Sequence, residues 1–469
     1  MSKSEEILAF FERICQIPHV SRNEAKLREF LVDFFADKED FATQVDSYGN
    51  LKIARKKTIE GAKKIILQAH LDMVPQALDK SFDFTKQGIK TKIENGKLMS
   101  ACGTTLGADD GIGVAAAVVA LLDDELKNCN IEAIFTVEEE IGLNGAANLD
   151  ENYLANCDYL LNLDSEDWGE IFIGCAGGVR LDTLIKVKSI SNKRKFTYQI
   201  TLKNLKGGHS GCDIHLARAN AIIELLKFAK ICGFELGNIT GGTLDNAIPR
   251  ECIIVAASDL TREEIELKAS EFIKEFYQTF SDEENVEILI SECDEKLNEV
   301  YENSAEIIEN LSSVKNAVIS FDSQLGVVET SSNFASVKSQ QGEIVITSSQ
   351  RSLYNKKRDE INSEIISHFE KIGGVSVRRA PYPAWEKIEN SCLTEAAVSL
   401  YKELFGVDVN IAVIPAGLEC GIFSEKNQKM QMLSFGPTVK YPHSPSEYLE
   451  VDTLKDFYCY LQQLIKKIS

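Results

Sequence analysis

The stretch Ile65–Asp72, IILQAHLD, is an apolar run that halts at a histidine and, two residues on, an aspartate. Four apolar residues in its first five positions predict a buried strand of the kind found inside a parallel sheet. Ligands in such sheets collect at the carboxyl ends of the strands, which is where His70 and Asp72 stand. If the pleat continues, both project from one face. An imidazole there can bind a metal while the carboxylate orients it or its neighbour. A single strand-end His-x-Asp is more often a capped turn. The pattern, however, recurs.

Ile131–Glu140, IEAIFTVEEE, is a second apolar run, and it ends in three glutamates. Tyr159–Glu166, YLLNLDSE, is a third and ends at Asp164. Between them Gly103–Leu122, GTTLGADDGIGVAAAVVALL, carries Asp109 and Asp110 from a glycine-rich loop into an alanine-rich helix. The glycines there suggest a phosphate loop, but two carboxylates at a helix start repel phosphate, and no Gly-Lys-Ser/Thr follows. Strand, loop and helix alternate through this half, as in an α/β sheet. Helix capping and solvated charge each explain one acidic stretch. Convergence at one sheet edge explains them all.

Helical spacing predicts helices over Ser4–Gln16 and Asn23–Asp37, the second capped by Ser21 or Asn23. His19 lies in the loop between them, without an acidic neighbour, and reads as structural. Phe41–Lys57 predicts two strands around Ser47–Asn50, and Gly88–Ser100 a hairpin on Asn95-Gly96. After residue 180 the strand-end acids stop. Strands (Val179–Lys188, Phe196–Leu205, Cys252–Ala257, Val286–Cys293, Glu343–Ser349) alternate with helices (His215–Cys232, Leu260–Ser281, Ser304–Val314, Asn355–Gly373). The expected division is therefore one domain over 1–180 and 383–469, interrupted by an inserted domain over 181–382. The first pattern returns in helix Ser391–Leu404, strands Val409–Ile414 and Met430–Phe435, and helix Ser446–Lys467. His443 sits in the loop before that last helix.

A net charge of −21 over 469 residues argues against nucleic acid or an anionic membrane as partner, because phosphate binding needs a basic face. Twelve cysteines are scattered singly with no Cys-x-x-Cys, and the N-terminus lacks a signal peptide's order of basic then apolar residues. A reduced, cytoplasmic protein is expected.

His70, Asp109, Glu140, Asp164 and His443 supply two imidazoles and three carboxylates. That set suits two Zn²⁺ sharing one aspartate, and Mn²⁺ or Co²⁺ would also fit. Paired metals of this kind activate a water between them. Glu139, not needed as a ligand, can take the water's proton as general base. Asp72 would stand behind His70 and orient it.

In this order HLD, GADDGIG, TVEEEIG, NLDSE and PHSP resemble the two-zinc peptidase family of carboxypeptidase G, aminoacylase and the carnosinases. GTTLGADDG, GCAGG, GLECG and FGPTVKYPHSP resemble its bacterial aminoacyl-histidine dipeptidase branch. The resemblance implies an α/β fold: a mixed sheet flanked by helices as catalytic domain, with an inserted α+β lid domain. It implies His70, Asp109 and Asp164 on one zinc and Asp109, Glu140 and His443 on the other, with Asp110 the competitor for the bridging role. Glu138 stands where the family commonly has aspartate. The lid of such enzymes carries a histidine and an arginine: His209, in GGHSG, fits the histidine that polarises the scissile carbonyl, and Arg351, in SQRS, the arginine that reads a terminal carboxylate. Asn246 and Asn333 are further substrate-binding candidates. The implied activity is hydrolysis of short peptides, including Xaa-His dipeptides, by a homodimer joined through the lid. The alternatives are a tripeptidase or acylase of the same family, or a peptide-binding module without turnover.

Overall fold

Three parallel strands that stop in step set the level of the site. β3 (Lys64–His70) pairs with β4 (Asn130–Thr136) up to His70 opposite Thr136, and with β5 (Tyr159–Asn162) up to Gln68 opposite Asn162. Everything after Ile65 in β3 is buried, which is why its sequence reads as a nearly continuous apolar run. Around these strands lie β1 (Phe41–Val45), β2 (Leu51–Arg55), β6 (Glu170–Cys175), β7 (Asn410–Ile414) and β8 (Gln431–Ser434). The sheet order is β1-β2-β4-β3-β5-β8-β6-β7. It is mixed: β1–β2, β2–β4 and β8–β6 are antiparallel and the other pairs parallel. The fold is α/β. It is a computed structural model that describes residues 1–293, 297–323 and 325–469.

Helices α1 (Lys3–Cys15), α2 (Ala25–Ala36) and α3 (Ala108–Leu121) pack into the core of this sheet, with α4 (Cys392–Phe405) and α5 (Thr453–Ile468) from the far end of the chain. In α3 every residue except Asp109 is buried. Its small side chains permit close approach: a Cβ on Gly111 would lie 2.8 Å from the Phe11 ring of α1. Core leucines here, such as Leu67 and Leu461, are fully buried, so truncation to alanine should cost about 2–5 kcal/mol each.

The chain divides into two compact units. One comprises 1–175, 385–414 and 418–469, the other 176–384 with 415–417. The second unit has its own core around Ile200, Leu225, Phe228 and Phe369. Its nine-stranded sheet is antiparallel throughout and is centred on the long pair Val327–Gln340 and Glu343–Ser352. Helices Ala221–Cys232, Arg262–Thr279, Ser304–Ser312 and Asn355–Glu370 accompany it.

Several sequence expectations need correction. The cap of α2 is Glu24, without a side-chain hydrogen bond, because the Ser21 hydroxyl donates to Asp72 instead. His215 lies in a short 3₁₀ turn, Ile214–Leu216, and not in the α-helix: Ala217 is left-handed, and the Asn220 side chain caps the helix that starts at Ala221. Residues 448–450 pair with Lys97–Ser100 before α5 begins at Thr453. The strand Val327–Gln340 escaped notice because Ser331, Ser332 and Asn333 are buried polar residues that blur the alternation expected of a strand.

Candidate active site

His70 ends β3 and is 1% exposed. Its Nδ1 is 3.0 Å from the Asp72 carbonyl oxygen, which can only accept, so Nδ1 carries a proton in the neutral ring. Nε2 then presents a lone pair. Asp109 Oδ1 at 3.1 Å and Asp164 Oδ1 at 3.5 Å face that lone pair. The second oxygen of Asp109 is 3.1 Å from His443 Nε2, which also lies 2.9 Å from Glu140 Oε1. The Glu140 contact is out of line for a hydrogen bond, and this buried oxygen has no donor.

Two triplets of ligand atoms result, His70–Asp109–Asp164 and Asp109–Glu140–His443, with the atoms in each within 4.8 Å of one another. A third triplet, His70–Glu139–Glu140, overlaps them. Asp110 is in none. Its carboxylate is turned to backbone, accepting from the N–H of His70 at 3.2 Å and of Gly113 at 3.2 Å.

The turn after β4 is shaped by Asp72. Its Oδ1 accepts the Glu139 N–H at 2.9 Å, and its Oδ2 accepts the Glu140 N–H at 3.2 Å and the Ser21 hydroxyl at 2.8 Å. Glu138, at φ +53°, makes the bend and is steadied by Tyr48 and Asn144. The loop ahead of α3 turns at Gly107, φ +75°, where a Cβ would lie 2.9 Å from Met73 Sδ.

Burial pushes Glu139 well above the usual carboxylate range, Glu140 above it and Asp164 up to about 7. Burial opposes charge on Asp109 too, but hydrogen bonds from His443 and His70, when these rings are protonated, hold it well below that range. His443, hydrogen-bonded to Asp109 and beside the Glu140 carboxylate, is raised to about 11. For His70, burial works against protonation, yet Asp164, Asp109 and Asp72 raise its pKa well above the ordinary value. Acceptors packed this closely require positive charge among them, whether protons on both imidazoles or a divalent cation in each triplet. The neutral tautomer of His70, the donorless Glu140 oxygen and the sharing of Asp109 all fit a pair of divalent metal ions.

Two buried glutamates in this unit went unnoticed in the sequence. Glu419, fully buried, accepts from Gln68 Nε2 at 2.5 Å and the Thr136 hydroxyl at 2.7 Å, and burial pushes it up to about 8. Glu447 accepts backbone N–H groups from the loop ahead of α3. Glu419 opens the short helix Glu419–Lys426 and Glu447 sits in a loop, and a single glutamate at either place has no periodicity to announce it.

The second unit gathers the remaining candidates. Gly208–His209 pairs with Ala247–Ile248, the Ser210 N–H donates to the Asn246 carbonyl at 2.8 Å, and Asn333 Nδ2 donates to the Ala247 carbonyl at 2.9 Å. His209 Nδ1 accepts N–H groups from Gly211 at 3.2 Å and Cys212 at 3.1 Å. Its neutral ring therefore carries the proton on Nε2. Burial and then the charge of Arg351 lower its pKa. Arg351 Nη1 donates to the Tyr382 hydroxyl at 2.8 Å. Tyr382, also missed in the sequence, fills a slot left by Gly178 and Gly417, where a Cβ would lie 2.4 and 2.7 Å from its side chain.

Residues 66–467 match the model of peptidase family M20/M25/M40. The chain is 36% identical to the cytosol non-specific dipeptidase of Escherichia coli (strain K12), over 98% of this chain and 96% of that protein. Its structure is similar to that of the aminoacylhistidine dipeptidase of Vibrio alginolyticus, with a TM-score of 0.89 and 34% identity over 99% and 96% of the two chains. The aminopeptidase PepT of Bacillus cereus shares the fold at a TM-score of 0.59 and 18% identity, over 99% and 98% of the chains. Among the described residues no helix is long and apolar enough to cross a membrane. The chain belongs to peptidase family M20/M25/M40.

Proposed function

We propose that the protein is a cytosolic, metal-dependent dipeptidase that hydrolyses short peptides, Xaa-His dipeptides among them. One observation carries the reading: the two oxygens of Asp109 each face a different histidine, beside a glutamate that Asp72 holds by its backbone. The names of the Escherichia coli and Vibrio relatives support the substrate class.

In this reading His70, Asp109 and Asp164 hold one Zn²⁺, and Asp109, Glu140 and His443 hold the other. Mn²⁺ and Co²⁺ are acceptable substitutes. Metal ions bound there supply Lewis acidity and make water a nucleophile at neutral pH. Glu139 takes the proton of the attacking water and delivers it to the leaving amine nitrogen, so the C–N bond breaks without releasing an amide anion. Asp72 fixes the backbone from which Glu139 and Glu140 project. His209 donates its Nε2–H to the carbonyl oxygen as negative charge develops. Arg351 pairs with the terminal carboxylate, and Asn246 and Asn333 bind the peptide's polar groups. Residues 1–180 and 383–469 act as the catalytic domain, and 181–382 as a lid through which two copies form a homodimer.

A panel of dipeptides, tripeptides and N-acyl amino acids assayed with metal-stripped and metal-restored protein tests this. Hydrolysis confined to dipeptides and dependent on metal is expected. Preference for tripeptides or acyl amino acids would reassign the substrate, and full activity in metal-free protein would end the reading.

A further inference from the structure

The first N–H groups of a helix have no partner inside it. The N-cap of α3 is Gly107, which has no side chain to supply one. The acceptor comes instead from far along the chain. Glu447 Oε2 accepts the N–H of Leu106 at 2.7 Å and Gly107 at 3.1 Å, and Oε1 accepts those of Ala108 at 2.8 Å and Asp109 at 3.4 Å. The glutamate is 2% exposed. One carboxylate thus gathers four consecutive backbone donors, each bond strengthened by its charge and by the helix dipole.

Helical geometry aims neither of the ligands near it. The Asp109 side chain is only 10% exposed, but its backbone (φ −82°, ψ 106°) departs from the helix, so the helix itself does not direct it. His443 has a half-exposed side chain. Glu447 follows His443 by four residues, in a segment closed by its own N–H bond to the Ser444 carbonyl at 3.0 Å. The next residues are pinned to the hairpin strand Lys97–Ser100.

We infer that Glu447 is a positioning residue for the metal centre: by tying the Leu106–Asp109 loop to the segment bearing His443, it sets the separation of two ligands of the second metal. This rests on the two-metal reading and extends it to a residue that touches neither metal nor substrate. Glu447→Gln would replace one acceptor oxygen with an amide donor facing N–H donors, and the loop would relax.

The test is Co²⁺ titration of metal-stripped protein, followed by visible absorption and by thermal unfolding of the apo-protein. The parent should bind two Co²⁺. E447Q should bind the second about 10–100-fold more weakly, the range for residues that orient ligands from behind, with altered absorption bands. E447D keeps the charge but is shorter, and should regain part of the affinity. Asp123→Asn is the control. Asp123 is a buried carboxylate just past the other end of α3, accepting from Tyr458 at 2.8 Å and Gln462 at 2.6 Å. D123N should lower the unfolding temperature yet leave both Co²⁺ affinities and the spectrum at parent values. Parent affinities and spectrum in E447Q, or equal weakening of the second Co²⁺ in D123N, would overturn the inference and leave the metal reading intact. If E447Q gives no folded protein, E447D decides: a parent-like second affinity overturns the inference. A parent that binds no Co²⁺ would overturn the metal reading itself.

Discussion

Asp72 Oδ1 receives the backbone N–H of Glu139 at 2.9 Å, while the same residue's carbonyl oxygen receives the Nδ1–H of His70 at 3.0 Å. One aspartate therefore sets both the tautomer of His70 and the placement of Glu139. Asp72→Asn retains the backbone carbonyl but leaves only one side-chain oxygen for the Glu139, Glu140 and Ser21 donors. The expected result is a fall in kcat of about 10–100-fold. Steady-state kinetics at saturating metal reads it. A loss confined to metal affinity would place Asp72 behind His70 only.

Glu139→Gln should lose nearly all turnover and keep two metals, because glutamine matches the size but cannot take the proton. Glu140→Gln should instead lower metal occupancy. Metal analysis alongside turnover separates the two. The reverse pattern would mean that the roles within the glutamate triplet are shifted by one residue.

His209 has its pKa lowered by burial and by Arg351, so the neutral ring dominates above the ordinary histidine value of 6.5. A folded pKa below the unfolded one contributes stability that is full above the unfolded pKa and is lost as pH falls below it. Arg351→Ala should shift the His209 titration upward. ¹⁵N NMR of labelled histidine should show Nε2 protonated and Nδ1 bare at pH 7. A proton on Nδ1 would remove His209 as the carbonyl's partner.

Arg351 is held by Tyr382, and a free peptide carboxylate is its proposed ligand. Amidating the substrate's C-terminus should reduce kcat/KM strongly, and Arg351→Ala should flatten that difference. Tyr382→Phe removes one hydrogen bond from the guanidinium and should raise KM several-fold, with kcat nearly kept. An amidation penalty of equal size in the parent and in Arg351→Ala would assign carboxylate recognition to another group.

The sequence disclosed the parts of the site that sit on periodic structure. His70, Glu139, Glu140 and Asp164 follow apolar runs, and the register of β3, β4 and β5 brings those ends together. What stayed hidden was held by long-range hydrogen bonds between individual residues. Glu447, Glu419 and Tyr382 act on backbone or side chains far away in sequence, and no spacing rule encodes such pairs. The second unit was harder to read for the opposite reason. Strands such as Val327–Gln340 bury serine and asparagine, so their faces do not alternate in hydrophobicity.

β8, residues 431–434, lies between β5 and β6, both of which end by Cys175. On the ribosome, the chain must emerge as far as residue 434 before that gap is filled. Until then the nascent chain carries two open strand edges, a template for pairing with other chains. It also has neither His443 nor Glu447. Closure of the sheet and the arrival of His443 and Glu447 therefore both wait on residues 431–447, and a chain stalled before residue 431 would be a client for chaperones.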